Sequence, residues 1–216
     1  MHSSLKIAPL LFAAVISFVF SSCSSVPVNL QTAKTEVQNY YESGKYSNDV
    51  KEIIAAAEDK INTMSLTKNS VVVFDVDETA LSNYEAVTDV HFGFVESMWN
   101  DWINEAKAPA IPEVKAFYDF VISKNINVVF ITGRDNSQYN VTYKNLKNAG
   151  YTKFDTLILK FHSSKITTGK FKSGKREELI AKGYNIIASI GDQESDFEGK
   201  DCGIIIKLPN YLYLVK

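Results

Sequence analysis

Cysteine is almost missing from this chain, with two in 216 residues. That is too few for a scaffold held together by disulfides. Histidine is scarce as well, at three, and neither His91 nor His162 has the neighbours that a nucleophilic or metal-binding histidine needs. Ten glycines and five prolines without a period exclude collagen-like and low-complexity chains. No internal repeat is present. An excess of either charge is also lacking: 23 Lys and Arg stand against 25 Asp and Glu, a net charge of −2. No basic stretch stands clear of acidic neighbours, so a nucleic-acid partner is not expected. What remains is 45% hydrophobic and 22% charged, the mix of one ordinary globular domain with a proper core.

The first residues read as an address. Lys6 precedes Ile7 to Phe20, an uncharged apolar run of 14 residues that ends in Ser21-Ser22-Cys23. A bilayer span needs about 20 residues, so the run fits a secretory signal better than a membrane helix. With Cys23 directly after small residues, the segment resembles a bacterial lipoprotein signal, although Phe20 stands where such signals more often carry Leu. The resemblance implies loss of residues 1–22, lipidation of Cys23 and a short polar tether over 23–29. It also implies an exported protein, anchored to a membrane through its N-terminal lipid in the outer membrane and periplasm or at the cell surface. A plain secreted protein and a retained anchor are the alternatives. With Cys23 acylated, Cys202 has no partner and is expected as a free, buried thiol.

From residue 30 onward, strand and helix signals alternate. Val50, Ile53, Ile54, Ala57, Ile61 and Met64 recur at helical spacing, with Ser47 or Asn48 as a candidate cap. Val71 to Phe74, Val128 to Ile131, Leu157 to Leu159, Ile186 to Ile190 and Ile204 to Ile206 are short apolar runs suited to strands buried on both faces. Between them lie a helix opened by Pro112, one from about Ser137 to Gly150, and one over Glu177 to Lys182. The pattern predicts an α/β fold, a central parallel sheet with helices on both faces. Ligands in such sheets bind at the carboxyl ends of the strands.

Acidic groups stand at those ends. The first strand runs into Asp75-Val76-Asp77-Glu78-Thr79, the second into Thr132-Gly133-Arg134, and the fourth into Gly191-Asp192-Gln193-Glu194-Ser195-Asp196. Residues two apart in an extended chain share a side, so Asp75 and Asp77 face together. Bringing Asp192 to them concentrates negative charge that is costly without a cation. Few, hard oxygen ligands suit Mg²⁺. A lone Asp-x-Asp after a strand is more often a polar turn; the combination of strand ends points to chemistry.

These motifs resemble the haloacid dehalogenase superfamily of aspartate-nucleophile phosphatases. Within it, the chain is similar to secreted acid phosphatases of classes B and C, most of all the class C lipoprotein acid phosphatases, and to plant vegetative storage proteins. The match rests on Val71 to Asn83 around Asp75-Val-Asp77-Glu-Thr, on Val129-Phe-Ile-Thr132-Gly-Arg134, on Phe171-Lys172-Ser173 and on Gly191-Asp192 through Asp196-Phe197. Trp99-Asn-Asp-Trp102 and Ala110-Ile-Pro112 belong with it. Ala80 departs from the usual Leu or Val.

The resemblance implies a Rossmann-like fold over residues 30–216 and hydrolysis of phosphomonoesters, nucleotides among them, through an aspartyl-phosphate. It makes Asp75 the nucleophile and Asp77 the acid and base. It places Mg²⁺ on the Asp75 carboxylate, the Asp77 carbonyl and Asp192, with Asp196 behind them. Thr132 donates to a phosphate oxygen, and Lys172, a loop lysine singled out from Lys165, Lys170 and Lys175 by the Lys-Ser of the motif, supplies fixed positive charge. Arg134, beside Gly133, is either a phosphate contact or a surface ion-pair partner.

A stretch near 82–124 is too long for one crossover helix and is expected to form a small helical cap. Its Tyr84, Trp99 and Trp102 either stack on a leaving group or fasten the cap. Two other classes share the scaffold: a non-catalytic storage or binding protein, and a phosphotransferase using the same residues. Gly169 to Arg176 nearly spells a P-loop but has Arg176 in place of the Mg²⁺-binding hydroxyl. Cys202 lacks the arginine of a cysteine phosphatase, since Leu208 takes its place.

Overall fold

The computed structural model describes residues 27–161 and 165–215. The signal run, Cys23, most of the tether and His162 lie outside them.

Among the described residues, five strands form one all-parallel sheet in the order β3-β2-β1-β4-β5. They are β1 (Ser70–Phe74), β2 (Asn127–Asp135), β3 (Thr156–Lys160), β4 (Asn185–Gly191) and β5 (Ile204–Lys207). Every residue of β1 is buried, which is why its sequence is an unbroken apolar run rather than an alternation. The two faces still divide by parity. Val72 and Phe74 enter a large core, packed by α2 (Lys45–Asn62), α5 (Pro112–Ser123) and α6 (Tyr139–Asn148). Val71 and Val73 enter a smaller one with Phe171 and Leu179 of α7 (Thr168–Ala181). The chain leaves central β1 for β2 on one side and reaches β4 on the other, which makes the carboxyl end of β1 a topological switch point.

Three elements differ from the sequence reading. The first helix, α1 (Leu30–Glu42), was not foreseen. Asn29 caps it by accepting from the Gln31 and Thr32 amides at 2.9 and 3.3 Å, and it buries no side chain of its own. Helix α2 begins after Gly44, whose φ of +84° suits glycine. Ser47 is therefore no cap; its hydroxyl donates to Glu113 on α5. Helix α7 begins at Thr168, nine residues before the predicted start at Glu177. Gly169 and Gly174 carry little helix propensity, and the helix is held by the burial of Phe171, Lys172, Arg176 and Leu179. Lys172 is thus a buried helix residue and not a loop lysine.

The cap is smaller than the expected 82–124. Two helices, α3 (Tyr84–Asp89) and α4 (Glu96–Glu105), form it. The excursion is closed at its base: Leu81 bridges Ala110, and the Ser82 amide donates to the Pro109 carbonyl at 2.9 Å. Helix α5 lies beyond that clasp. Its Phe117 is fully buried with its ring 5.8 Å from that of Phe74, so α5 belongs to the domain core.

Candidate active site

The loop after β1 stays close to the sheet, because the Asp75 amide donates to the Ile190 carbonyl at 2.9 Å. Asp75 is 7% exposed. Its Oδ1 accepts from the Lys172 ammonium, and its Oδ2 lies 3.2 Å from the Thr79 hydroxyl. That hydroxyl is also 3.2 Å from Asp192 Oδ1, so Thr79 joins the first and fourth strand ends. Glu78 takes the turn between with a φ of +51°, a conformation that costs energy for a residue with a side chain.

Lys172 reaches the carboxyl end of β1 from α7. It is 4% exposed, and its Nζ also donates to Asp196 Oδ1 at 2.5 Å. Burial alone would lower its pKa; the two aspartates outweigh burial and raise it. Asp196 comes so close to the end of β4 that a Cβ on Gly191 would lie 2.2 Å from its Oδ2. Only glycine fits there. Arg176, 1% exposed, donates to the carbonyls of Asp196 at 2.7 Å and of Glu198, pinning the same loop. The residue that spoils the P-loop pattern is therefore a structural clamp.

Asp75, Asp192 and Asp196 are all buried, and each offers an oxygen within 4.8 Å of the others. Burial pushes the Asp75 carboxyl well above its ordinary pKa; the neighbouring aspartates add to the rise and Lys172 opposes it. Asp192 is raised by burial and by Asp196, against its amide donors Asn210 and Gln193. One lysine does not balance three carboxylates packed this tightly. The all-oxygen donor set and the uncompensated charge fit a hard divalent cation.

Asp77 is held differently. Arg134 donates to both its oxygens, from Nε at 3.1 and 3.0 Å and from Nη2 to Oδ1 at 2.6 Å, while the Asn83 amide donates to Oδ1 at 2.9 Å. Burial alone would raise this carboxyl; Arg134 and Asn83 outweigh burial and hold it below the ordinary range. Arg134 is itself buried, with Nη1 donating to the Thr142 hydroxyl at 3.2 Å. Its partner is the Asp77 carboxylate, and it is no surface ion pair.

The strand ends open into a cavity of about 870 Å³. Asp75, Asp77, Lys172, Asp192 and Asp196 form its floor, with Gly133 and Arg134 beside them. Thr132 is fully buried behind them, its Oγ1 accepting from the Arg134 amide at 3.1 Å. The cap supplies Phe94, Met98 and Trp99, and the C-terminal residues Leu212 to Val215 supply the opposite wall. The Trp99 and Tyr213 rings meet edge to face at 6.4 Å.

Of the three aromatics that could either stack on a leaving group or fasten the cap, Trp99 lines the cavity and the other two do not. Trp102 is 6% exposed and sits behind the wall, where its indole N–H donates to Asn83 Oδ1 at 2.8 Å. Tyr84 stacks on Tyr41 of α1 at 5.0 Å, and its hydroxyl donates to Glu42 at 3.0 Å; it fastens the cap to the first helix. Several site residues escaped the sequence reading. Glu78, Thr79 and Asn83 stand inside the Asp75 motif, where their offsets from Asp77 were the available signal. Asn210, which donates to Asp192 Oδ2 at 2.6 Å, and Tyr213, which donates to Glu78, carried none.

Comparison with known proteins agrees with this geometry. The model of the HAD superfamily, subfamily IIIB (acid phosphatase), matches residues 12–216. The chain belongs to that family, and it is a phosphomonoesterase by that membership. It is 34% identical over 199 residues to vegetative storage protein 1 of Arabidopsis thaliana, covering 88% of this chain and 72% of that protein. It is 34% identical over 152 residues to acid phosphatase 1 of Solanum lycopersicum, covering 67% of this chain and 59% of that protein. The class C acid phosphatase of Bacillus anthracis, solved with tungstate bound, superposes with a TM-score of 0.70 at 25% identity, over 87% of each chain.

Proposed function

We propose that this protein is a Mg²⁺-dependent acid phosphatase that hydrolyses phosphomonoesters, nucleotides among them, through an aspartyl-phosphate on Asp75. The observation that carries the reading is the Asp75 carboxylate at the floor of the cavity, one oxygen bound to Lys172 and the other beside Asp192 through Thr79. A carboxylate attacks phosphorus in line only when the negative charge of the phosphoryl oxygens is offset. Lys172 supplies fixed positive charge for that purpose. Asp75, the Asp77 carbonyl and Asp192 would hold the Mg²⁺, which when bound neutralises charge on the transferring group. Asp196 keeps Lys172 in place.

Asp77 has two tasks: to give a proton to the leaving oxygen, and to take one from the water that hydrolyses the intermediate. The Arg134 clamp favours the ionised form, which serves the second task. The first task needs the protonated form, which acidic solution supplies. The retained Asp75 also separates this reading from a storage protein on the same scaffold, which needs no nucleophile.

The test is a panel of phosphomonoesters, nucleotides included, assayed with EDTA and with added Mg²⁺ on the protein and on Asp75→Asn. The variant is expected to lose at least about 10³-fold in turnover while keeping its fold by circular dichroism. EDTA is expected to silence the native protein and Mg²⁺ to restore it. Turnover in Asp75→Asn, or indifference to chelation, sinks the reading. Export as a lipoprotein through Cys23 belongs to the same proposal. Cys23→Ser is expected to move the protein from the membrane to the soluble fraction.

A further inference from the structure

Asp77 has two donors, and only one of them is a charge. The other, Asn83, is itself held from two distant parts of the molecule. An indole N–H only donates. Because Trp102 of the cap donates to Asn83 Oδ1 at 2.8 Å, that oxygen is the accepting end of the amide. Nδ2 is thereby turned toward Asp77 Oδ1 at 2.9 Å, where it can only donate. The backbone of Asn83 is fixed separately. Its amide donates to Glu78 Oε1 at 2.8 Å, its Nδ2 also reaches Glu78 Oε2 at 3.3 Å, and that second oxygen accepts from the Tyr213 hydroxyl of the C-terminal segment. Asn83 is fully buried, as Trp102 and Glu78 nearly are, so water does not replace these bonds when one is lost.

We propose that Asn83 is a positioning residue for Asp77, its amide oriented by Trp102 of the cap and its place secured, through Glu78, by Tyr213 of the C-terminal segment. The inference rests on Asp77 being the proton donor to the leaving group. Its consequence is that cap and C-terminal segment steer the proton transfer as well as walling the cavity. An Asp77 carboxyl displaced by a fraction of an ångström still sits in the site, but delivers its proton less well.

Leaving groups provide the test. A nitrophenoxide departs with little help from an acid, whereas an alkoxide needs the proton. Measured as kcat/KM, which reports transfer to Asp75, Asp77→Asn is expected to lose about 10²-fold more on an alkyl phosphate than on p-nitrophenyl phosphate. Tyr213→Phe keeps the ring and removes only the donor, and Trp102→Phe keeps an aromatic ring, though a smaller one, and removes the indole N–H. Each is expected to lose about tenfold on the alkyl ester and less than about threefold on the nitrophenyl ester, with Asn83→Ala showing the same bias. A loss of equal size on both esters, which mere loosening of the fold would produce, overturns the proposal, and so does no loss. If Asp77→Asn itself shows no bias, the acid is another group and the proposal falls with that assignment. If Asp77→Asn shows it and the two phenylalanine variants do not, the assignment stands and the positioning role alone is refuted.

Discussion

The floor and the roof of the cavity are built on opposite plans. The floor is charged, buried and closely bonded: Asp75, Asp77, Lys172, Arg134, Asp192 and Asp196 have named partners, and glycine at 191 lets the last of them approach. The roof is apolar and open. Phe94 is 71% exposed, and Val95, Met98 and Leu214 are exposed beside it. Parts that hold the phosphoryl group are charged and closely bonded, while parts that meet the remainder of the ester are exposed apolar surface.

Three perturbations sharpen the contrast. The largest effect is expected on the floor. Lys172→Met leaves Asp75 and Asp196 buried without their shared cation, and breaking a buried pair in this way costs about 3–5 kcal/mol. Turnover of p-nitrophenyl phosphate should fall more than about a hundredfold, and the thermal midpoint measured in EDTA should drop with it. If activity survives while the midpoint falls, the lysine is structural alone.

The next effect concerns pH in the absence of metal. Asp75, Asp192 and Glu78 all have raised pKa values in the folded protein, each chiefly through burial, whereas Asp77 alone of the group is lowered. A raised carboxyl keeps its proton in the native state at pH values where the unfolded chain has released it. The stability it contributes is therefore lost as pH rises above the ordinary carboxylate range. Asp77 contributes in the opposite sense, losing its share as pH falls. Three groups against one predict that melts in EDTA show a higher midpoint near pH 5 than near pH 8. Added Mg²⁺ should narrow that gap. A flat profile contradicts the charge balance described for the floor.

The smallest effect is expected at the roof. Trp99→Ala removes one aromatic face from the cavity, a contact of about 1 kcal/mol. KM for an aryl phosphate should rise roughly fivefold, with kcat and the midpoint nearly unchanged. A large drop in kcat would show that roof and floor are not separable at this residue.

The same division governs what the sequence reveals. Strands and the Asp75 motif are legible because buried parallel strands are short β-branched runs and because Asp75 and Asp77 are neighbours in the chain. Lys172 is legible as a residue but not as a helix residue, since Gly169 and Gly174 mask a helix held by tertiary burial. Trp99 and Trp102, three apart, look equivalent on a helix; only the fold shows one facing the cavity and the other Asn83. Tyr213 lies 135 residues from Glu78 and Asn210 lies 18 from Asp192. No periodicity or spacing rule connects such pairs, because their meeting depends on the path of the C-terminal segment over the finished sheet.

The clasp at the base of the cap has an evolutionary corollary. With Leu81 and Ala110 side by side, the intervening segment enters and leaves the domain at one point, like an inserted cassette. Descendants can lengthen, shorten or replace that cassette to suit new esters while inheriting the hydrolytic machinery intact, provided that a donor remains where the Trp102 indole meets Asn83.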